Sequence, residues 1–198
     1  MFKPNMHYPR QVSTLSVRSE TDWSEVIRQD RQLQDLMHSV ECFYREKLAI
    51  TTKQWICDSN VRLDASLPAN VGGNAICWIA FPPHRLQSAE ISLKPGRSKL
   101  HTAGVLTHEM FHVISAARGL KLGKQLEEGA ANLAQYLYLK HHGKADESRV
   151  LQHTMHCDSD PIYGDGFRIA RRVYKEKGGF QACLDELQVI GNIKNGVV

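Results

Sequence analysis

The sequence predicts an α+β fold, with a small sheet packed against several helices. Two patterns lead to this expectation: stretches in which apolar residues recur at helical spacing, and short apolar runs separated by Pro- and Gly-rich breaks. A chain of 198 residues with 42% hydrophobic and 23% charged content suits one ordinary core and is too short for two. We therefore expect one domain over residues 23–198, preceded by a flexible, polar arm over residues 1–22.

The first half of the chain is expected to supply one helix and the sheet. A long amphipathic helix is predicted from Ser24 to about Lys47, with Asp22 or Ser24 as its cap. Three short strands follow, in the segments KQWICDSNVRL, NAICWIAF and AEISLK. These strands are expected to form a small antiparallel or mixed sheet.

The second half is expected to be helical. Glycines that end the apolar periodicity mark the helix C-termini, and Thr102 is the predicted cap of the first helix. The predicted bounds are Thr102 to Gly119, about Gln125 to His142, about Gly166 to Lys177, and about Phe180 to Val189.

An H-E-x-x-H motif lies inside the first of these helices, formed by His108, Glu109 and His112. Histidines four apart on a helix project from one face, so both imidazoles can bind one zinc ion. A glutamate beside them can act as the general base toward water at that ion. Because a strand precedes the motif and an acidic helix follows it, we favour a catalytic site with one zinc per chain over a helix with surface histidines.

The third metal ligand is expected from the helix that contains LEEGAANLAQYL. A catalytic zinc typically has three protein ligands and one open position, and Glu127 and Glu128 are the candidates for the third. Adjacent helical residues point about 100° apart, so only one of them can face the metal. A metzincin site is excluded, because Arg118 stands where its third histidine would be.

Three blocks of sequence, LTHEMFH, LEEGAANLAQYL and PIYGDGFR, resemble the peptidase region of the DA-one-like family, the ubiquitin-activated, LIM-linked peptidases that restrict plant organ growth. The resemblance covers about residues 40–190. It implies a zincin-like fold of the minigluzincin kind and a zinc metallopeptidase with His108 and His112 as ligands and Glu109 as base. In many gluzincins the third ligand is the Glu directly before Gly or Ala, which implies Glu128.

The block PIYGDGFR offers further candidates for the site. Tyr163 is a candidate catalytic residue, because zinc peptidases use a Tyr or His donor to stabilise the oxyanion, and Asp165 is another candidate. The alternative is a glycine-rich turn in which Asp165 caps the next helix. His153 and His156 are other possible donors, and Arg168 is expected in a structural salt bridge.

The expected partner is a peptide or protein substrate. The segment AEISLK is expected to be an edge strand that holds an extended substrate through main-chain hydrogen bonds. The net charge of +4 is dispersed along the chain and no nucleic-acid motif is present. No apolar run approaches the roughly 20 residues of a membrane span, and no signal-peptide core is seen, so we expect a soluble, cytosolic protein, or one exported without such a signal.

The cysteine pattern limits which family features this chain can share. Its five cysteines are odd in number, scattered and never spaced C-x-x-C, which argues against a disulfide framework and a LIM module. Ubiquitin is therefore left open as a partner. Two alternative functions remain: a non-catalytic, zinc-stabilised interaction module, and a regulatory peptidase of a bacterial effector, toxin or defence system.

Overall fold

The computed structural model of the protein describes residues 26–51, 59–80, 85–142 and 146–194. Within these ranges the chain forms six α-helices and two small sheets, so the predicted α+β class is confirmed. The bounds are β1 Val26–Ile27, α1 Leu33–Glu46, β2 Ser59–Leu63, β3 Gly73–Ala80, β4 Arg85–Leu93, β5 Arg97–Ser98, α2 Lys99–Arg118, α3 Lys124–His142, α4 Asp146–Cys157, α5 Tyr163–Lys177 and α6 Phe180–Lys194. The predicted arm over residues 1–22 lies outside the described residues.

The larger sheet has the strand order β2-β4-β3 and is mixed, as expected. β2 pairs parallel to β4, with Val61 opposite Ile91, and β3 pairs antiparallel to β4, with Ala75 opposite Ile91. The strand that contains AEISLK is therefore the central one. The prediction that it forms an edge is wrong, because β2 pairs with one side of it and β3 with the other. Among the described strands, β2 and β3 are at the edges.

Helix α2 lies at the centre of the molecule. It packs against α1, α3, β3 and β4, and every residue from Thr102 to Ser115 is buried. The helix ends as predicted at Gly119, whose φ of 63° is the left-handed conformation that glycine adopts without strain. Its start differs from the prediction. The cap is Ser98, whose side chain accepts a hydrogen bond from the backbone N–H of His101, and Thr102 lies inside the helix.

Helices α3 and α5 are in close backbone contact. A Cβ atom on Gly129 would lie 2.2 Å from the carbonyl oxygen of Gly166, and one on Gly166 would lie 2.3 Å from that of Gln125. Both distances are far below any normal contact, so the crossing requires glycine on each helix. It fixes the start of α5 against the part of α3 that carries the acidic residues.

Other elements depart from the predicted bounds. Val26 and Ile27, assigned to the first helix, form a strand instead, since they pair with Ser98 and Arg97 of β5, and α1 begins only at Leu33. Asp22 and Ser24 lie outside the described residues. Helix α4 was not predicted, α5 begins three residues earlier than expected, and α6 runs on to Lys194. Within the described part of the chain, no helix is long and apolar enough to cross a bilayer.

Candidate metal centre

Two imidazoles converge on the face of α2 that meets α3. His108 and His112 are one turn apart, and their Nε2 atoms lie 3.2 Å from each other. Both side chains are buried, with 1% and 7% exposure. Because their spacing follows from the helical repeat, the motif itself brings these two nitrogen atoms together.

Glu128 of α3 supplies the third donor. Its Oε2 atom lies 3.2 Å from His108 Nε2 and 3.6 Å from His112 Nε2, and its side chain is 1% exposed. His108, His112 and Glu128 form a group whose ligand atoms all lie within 4.8 Å of one another. This buried cluster can therefore hold a metal ion.

The spacing of the three atoms can be compared with that of a real coordination shell. A tetrahedral zinc ion with bonds of about 2.0–2.1 Å separates its ligand atoms by about 3.3–3.4 Å. The three separations here, 3.2, 3.2 and 3.6 Å, are close to those edges. Two imidazoles and a carboxylate also match the chemistry of known three-ligand zinc sites. The residues present thus fit a divalent metal ion.

The histidines and glutamates of the cluster shift one another's pKa values. Burial alone would raise the pKa of the Glu128 carboxyl, but hydrogen bonds from His108 and His112 outweigh it and lower that pKa. Burial alone would lower the pKa of the His112 imidazole, but the carboxylates of Glu127 and Glu128 outweigh it and raise that pKa well above its ordinary value. The carboxylates therefore favour a positive charge next to them, whether on a protonated imidazole or on a bound cation.

Each imidazole also has a hydrogen-bond partner at its outer nitrogen. His108 Nδ1 lies 3.1 Å from Oδ1 of Asn132, and His112 Nδ1 lies 3.3 Å from Oε1 of Glu127. Such partners hold the ring orientation and direct the Nε2 lone pair toward a metal. The two adjacent glutamates thus meet opposite sides of the His112 ring. Glu128 faces Nε2 and Glu127 faces Nδ1.

Glu109, the residue that follows His108 on α2, is buried, with 1% exposure. Its neighbour on the sheet is Gly73 at the start of β3, where a Cβ atom would lie 2.9 Å from Glu109 Cγ and 3.0 Å from Glu109 Oε1. The Cys77 thiol belongs to the same strand, and its pKa is raised to about 12 by burial and then by Glu127 and Glu109. The sequence alone did not identify Gly73 as part of the site. The available signal was the pair of glycines directly before the predicted strand NAICWIAF.

The segment around Tyr163 differs in part from its prediction. Asp165 lies in the first turn of α5 and pairs with Arg168, so the expected salt bridge is confirmed. Asp165 is not the cap. Asp160, just before the helix, accepts at Oδ1 from the backbone N–H groups of Ile162 and Tyr163, at 2.7 and 2.9 Å.

Tyr163 is linked to the cluster through its backbone. Its carbonyl oxygen accepts a hydrogen bond of 3.2 Å from Asn132 Nδ2. The alternative donors His153 and His156 both lie in α4, where His156 packs against the rings of Tyr136 and Phe167 at 5.3 and 5.4 Å. His153 contacts the Cys157 sulfur at 3.4 Å. Neither histidine belongs to the metal-ligand group found among the described residues.

Comparison with known proteins finds one distant relative. Protein DA1 of Arabidopsis thaliana is 27% identical over 124 residues, a match that covers 48% of this chain and 23% of the plant protein. The chain is distantly similar to DA1. It spans less than a quarter of that protein's length. No protein-family model matches the chain, and no match was found among solved structures.

Proposed function

We propose that the protein is a zinc-dependent peptidase, with His108, His112 and Glu128 as metal ligands and Glu109 as the general base. One observation carries the proposal. Among the described residues, the metal-ligand group contains three side chains, and Glu109, the residue that follows His108 on α2, is buried without belonging to the group. Catalytic zinc sites have three protein ligands and an open position, while structural sites are closed by four.

The chemistry divides between the ion and the chain. A bound zinc ion supplies Lewis acidity, which makes water more acidic and a peptide carbonyl more electrophilic. Glu109 accepts the proton of the attacking water and delivers it to the leaving amine nitrogen. His108, His112 and Glu128 hold the ion, and Asn132 and Glu127 orient the two imidazoles. The resemblance to the DA-one-like peptidases and the alignment with DA1 support this assignment.

Tyr163 is the proposed oxyanion donor. It is the first residue of α5, and its backbone carbonyl accepts a hydrogen bond from Asn132, the partner of His108. A phenol that donates to the attacked carbonyl would stabilise the charge that develops there. Tyr163→Phe should lower kcat by about 10²–10³-fold, the usual effect of losing one such donor, and should leave zinc content unchanged. An unchanged kcat would remove Tyr163 from the mechanism.

The proposed substrate is an extended peptide that binds along β3. This strand is at the edge of the described sheet and begins at Gly73, next to Glu109. A peptide that adds to an edge strand is held by main-chain hydrogen bonds, which would make cleavage tolerant of sequence. N-methylation of alternate substrate amides should therefore raise KM more than most side-chain changes do.

The direct test compares zinc-loaded wild type with zinc-loaded Glu109→Gln on a proteome-derived peptide library, read by mass spectrometry. New peptide termini with the wild type alone are the expected result, because glutamine keeps the shape of the side chain and cannot accept the proton. Equal cleavage by both proteins would contradict the role of Glu109. No cleavage by either, with ubiquitin added or omitted, would favour the second candidate, a non-catalytic module that the metal stabilises.

A further inference from the structure

Asn132 of α3 is almost fully buried, at 4% exposure, and its amide makes two hydrogen bonds, one as an acceptor and one as a donor. Its Oδ1 atom faces His108 Nδ1 at 3.1 Å, and its Nδ2 atom donates to the Tyr163 carbonyl oxygen at 3.2 Å. One amide group thus joins a candidate metal ligand on α2 to the first residue of α5.

The direction of both bonds follows from the partners. A backbone carbonyl can only accept, so the amide NH2 group must face Tyr163 and Oδ1 must face His108. A metal-binding imidazole is neutral and has one ring hydrogen. Because Oδ1 of Asn132 can only accept, that hydrogen must be on Nδ1 of His108 when the metal is bound. The lone pair on Nε2 then points to the side where Glu128 and His112 lie. The Tyr163 carbonyl therefore determines the tautomer of a metal ligand two helices away.

The carbonyl of Tyr163 is held firmly in its place. The segment that follows it is in backbone contact with its surroundings. A Cβ atom on Gly164 would lie 2.1 Å from the Asp158 carbonyl oxygen, and one on Gly166 would lie 2.3 Å from the Gln125 carbonyl oxygen. Packing this close leaves the start of α5 little room to shift toward its neighbours.

The second imidazole shows what differs at Asn132. Glu127 faces His112 Nδ1 with a carboxylate oxygen at 3.3 Å, which is a common and strong partner for a metal-binding histidine. A carboxylate at position 132 would instead place a second acceptor against the Tyr163 carbonyl. Two buried acceptors in contact, one of them charged, cost free energy that no hydrogen bond returns. A side chain that both donates and accepts is needed there.

We propose that the start of α5 positions the metal ligand His108 through Asn132, and that this role requires an amide. The inference rests on the proposed metal centre and adds a positioning residue to it. It departs from the general expectation that a carboxylate behind a ligating histidine improves the site. At position 132 the Tyr163 carbonyl makes an amide a better partner for the histidine than a carboxylate.

The test titrates the metal-free protein with Co²⁺ and follows its visible absorption, which reports ligand geometry and affinity without any substrate. Asn132→Asp keeps an acceptor for His108 and loses the donor to Tyr163. Repulsion from the Tyr163 carbonyl should push the new carboxylate away from His108, so Co²⁺ binding should weaken by about 10–100-fold, the usual cost of losing an outer partner of a metal ligand, and the absorption bands should shift. Glu127→Gln is the matched control. It keeps an acceptor for His112 and should change the affinity less than Asn132→Asp does.

Asn132→Ala guards against a variant that fails because of its buried charge. It removes both hydrogen bonds without adding a charge, and it should also weaken Co²⁺ binding by about 10–100-fold. Wild-type affinity and spectrum in either Asn132 variant would overturn the proposal. Because the readout is metal binding, a wild type that binds Co²⁺ without cleaving any peptide would contradict the peptidase assignment alone.

Discussion

Replacing Gly73 by Ala tests whether the position of Glu109 matters. The added Cβ atom would lie 2.7 Å from Val105 Cγ1 and 2.9 Å from Glu109 Cγ. Carbon atoms in contact are normally about 3.5–4.0 Å apart, so the neighbours must give way by roughly 0.6–1.3 Å. Both neighbours project from the buried helix α2, which leaves little room for them to move. Overpacking of this kind costs about 1–3 kcal/mol of stability.

Gly73→Ala should lower the catalytic rate as well as the stability. A displacement of about 1 Å in a reacting group can lower the rate by about 10²-fold, so we expect kcat to fall by that factor. The melting temperature should fall by roughly 2–12 °C, at about 2–4 °C per kcal/mol for a chain of this size. Zinc content should stay at one per chain, since the atoms that the new methyl group meets first belong to Val105 and Glu109.

The assay measures kcat on a peptide chosen from the library, with zinc content by mass spectrometry and melting by differential scanning fluorimetry. The matched control is Gly179→Ala, because a Cβ atom there has nothing within 4 Å. This control should keep wild-type kcat. If folded, zinc-loaded Gly73→Ala also keeps wild-type kcat, the reasoning that places Glu109 as the base is refuted.

Three further predictions concern the metal, the pH and the thiols. Zinc at about 100 times its Kd should stabilise the fold by about 2.7 kcal/mol, or roughly 5–11 °C in melting temperature, and Glu128→Gln should lose this increment in the same fluorimetric scan. In the metal-free protein, folding lowers the pKa of Glu128 and raises that of His112. The pair should therefore stabilise the fold fully only between pH 4.5 and pH 6.5, the ordinary pKa values of the two groups. Urea unfolding should therefore show lost stability as the pH falls through the lowered pKa and as it rises through the raised one, and a flat profile would contradict the pairing. Iodoacetamide should modify the exposed Cys157 in the native protein and spare Cys183, whose pKa burial raises to about 12, with peptide mass spectrometry as the readout.

The sequence predicted well what depends on local pattern. Helices α2 and α3 follow from apolar spacing and from the glycine that ends α2. His108 and His112 are four residues apart, so the helical repeat alone places them on one face of α2. The candidate third ligand needed more. Neighbouring helical residues differ in direction, but only the packing of α3 on α2 places Glu128 at Nε2 and Glu127 at Nδ1 of the same ring.

Features that depend on contacts distant in sequence could not be predicted in this way. Val26 and Ile27 form a strand only because β5 lies beside them, and β4 is central only because β2 pairs with it in parallel. Helix α4 contains few apolar residues and buries only Ser148 and Met155, so little in the sequence marked it as part of the core. The contact of Gly73 with Glu109 joins a strand to a helix, and no local pattern in either element contains it.

The central claim is that His108, His112 and Glu128 hold one zinc ion and leave a coordination position open. X-ray absorption spectroscopy at the zinc edge tests it most directly on the zinc-loaded protein. We predict one zinc per chain with only nitrogen and oxygen neighbours at about 2.0–2.1 Å, of which two are imidazoles. A sulfur neighbour, a shell with more than two imidazoles, or the absence of stoichiometric zinc would contradict the account.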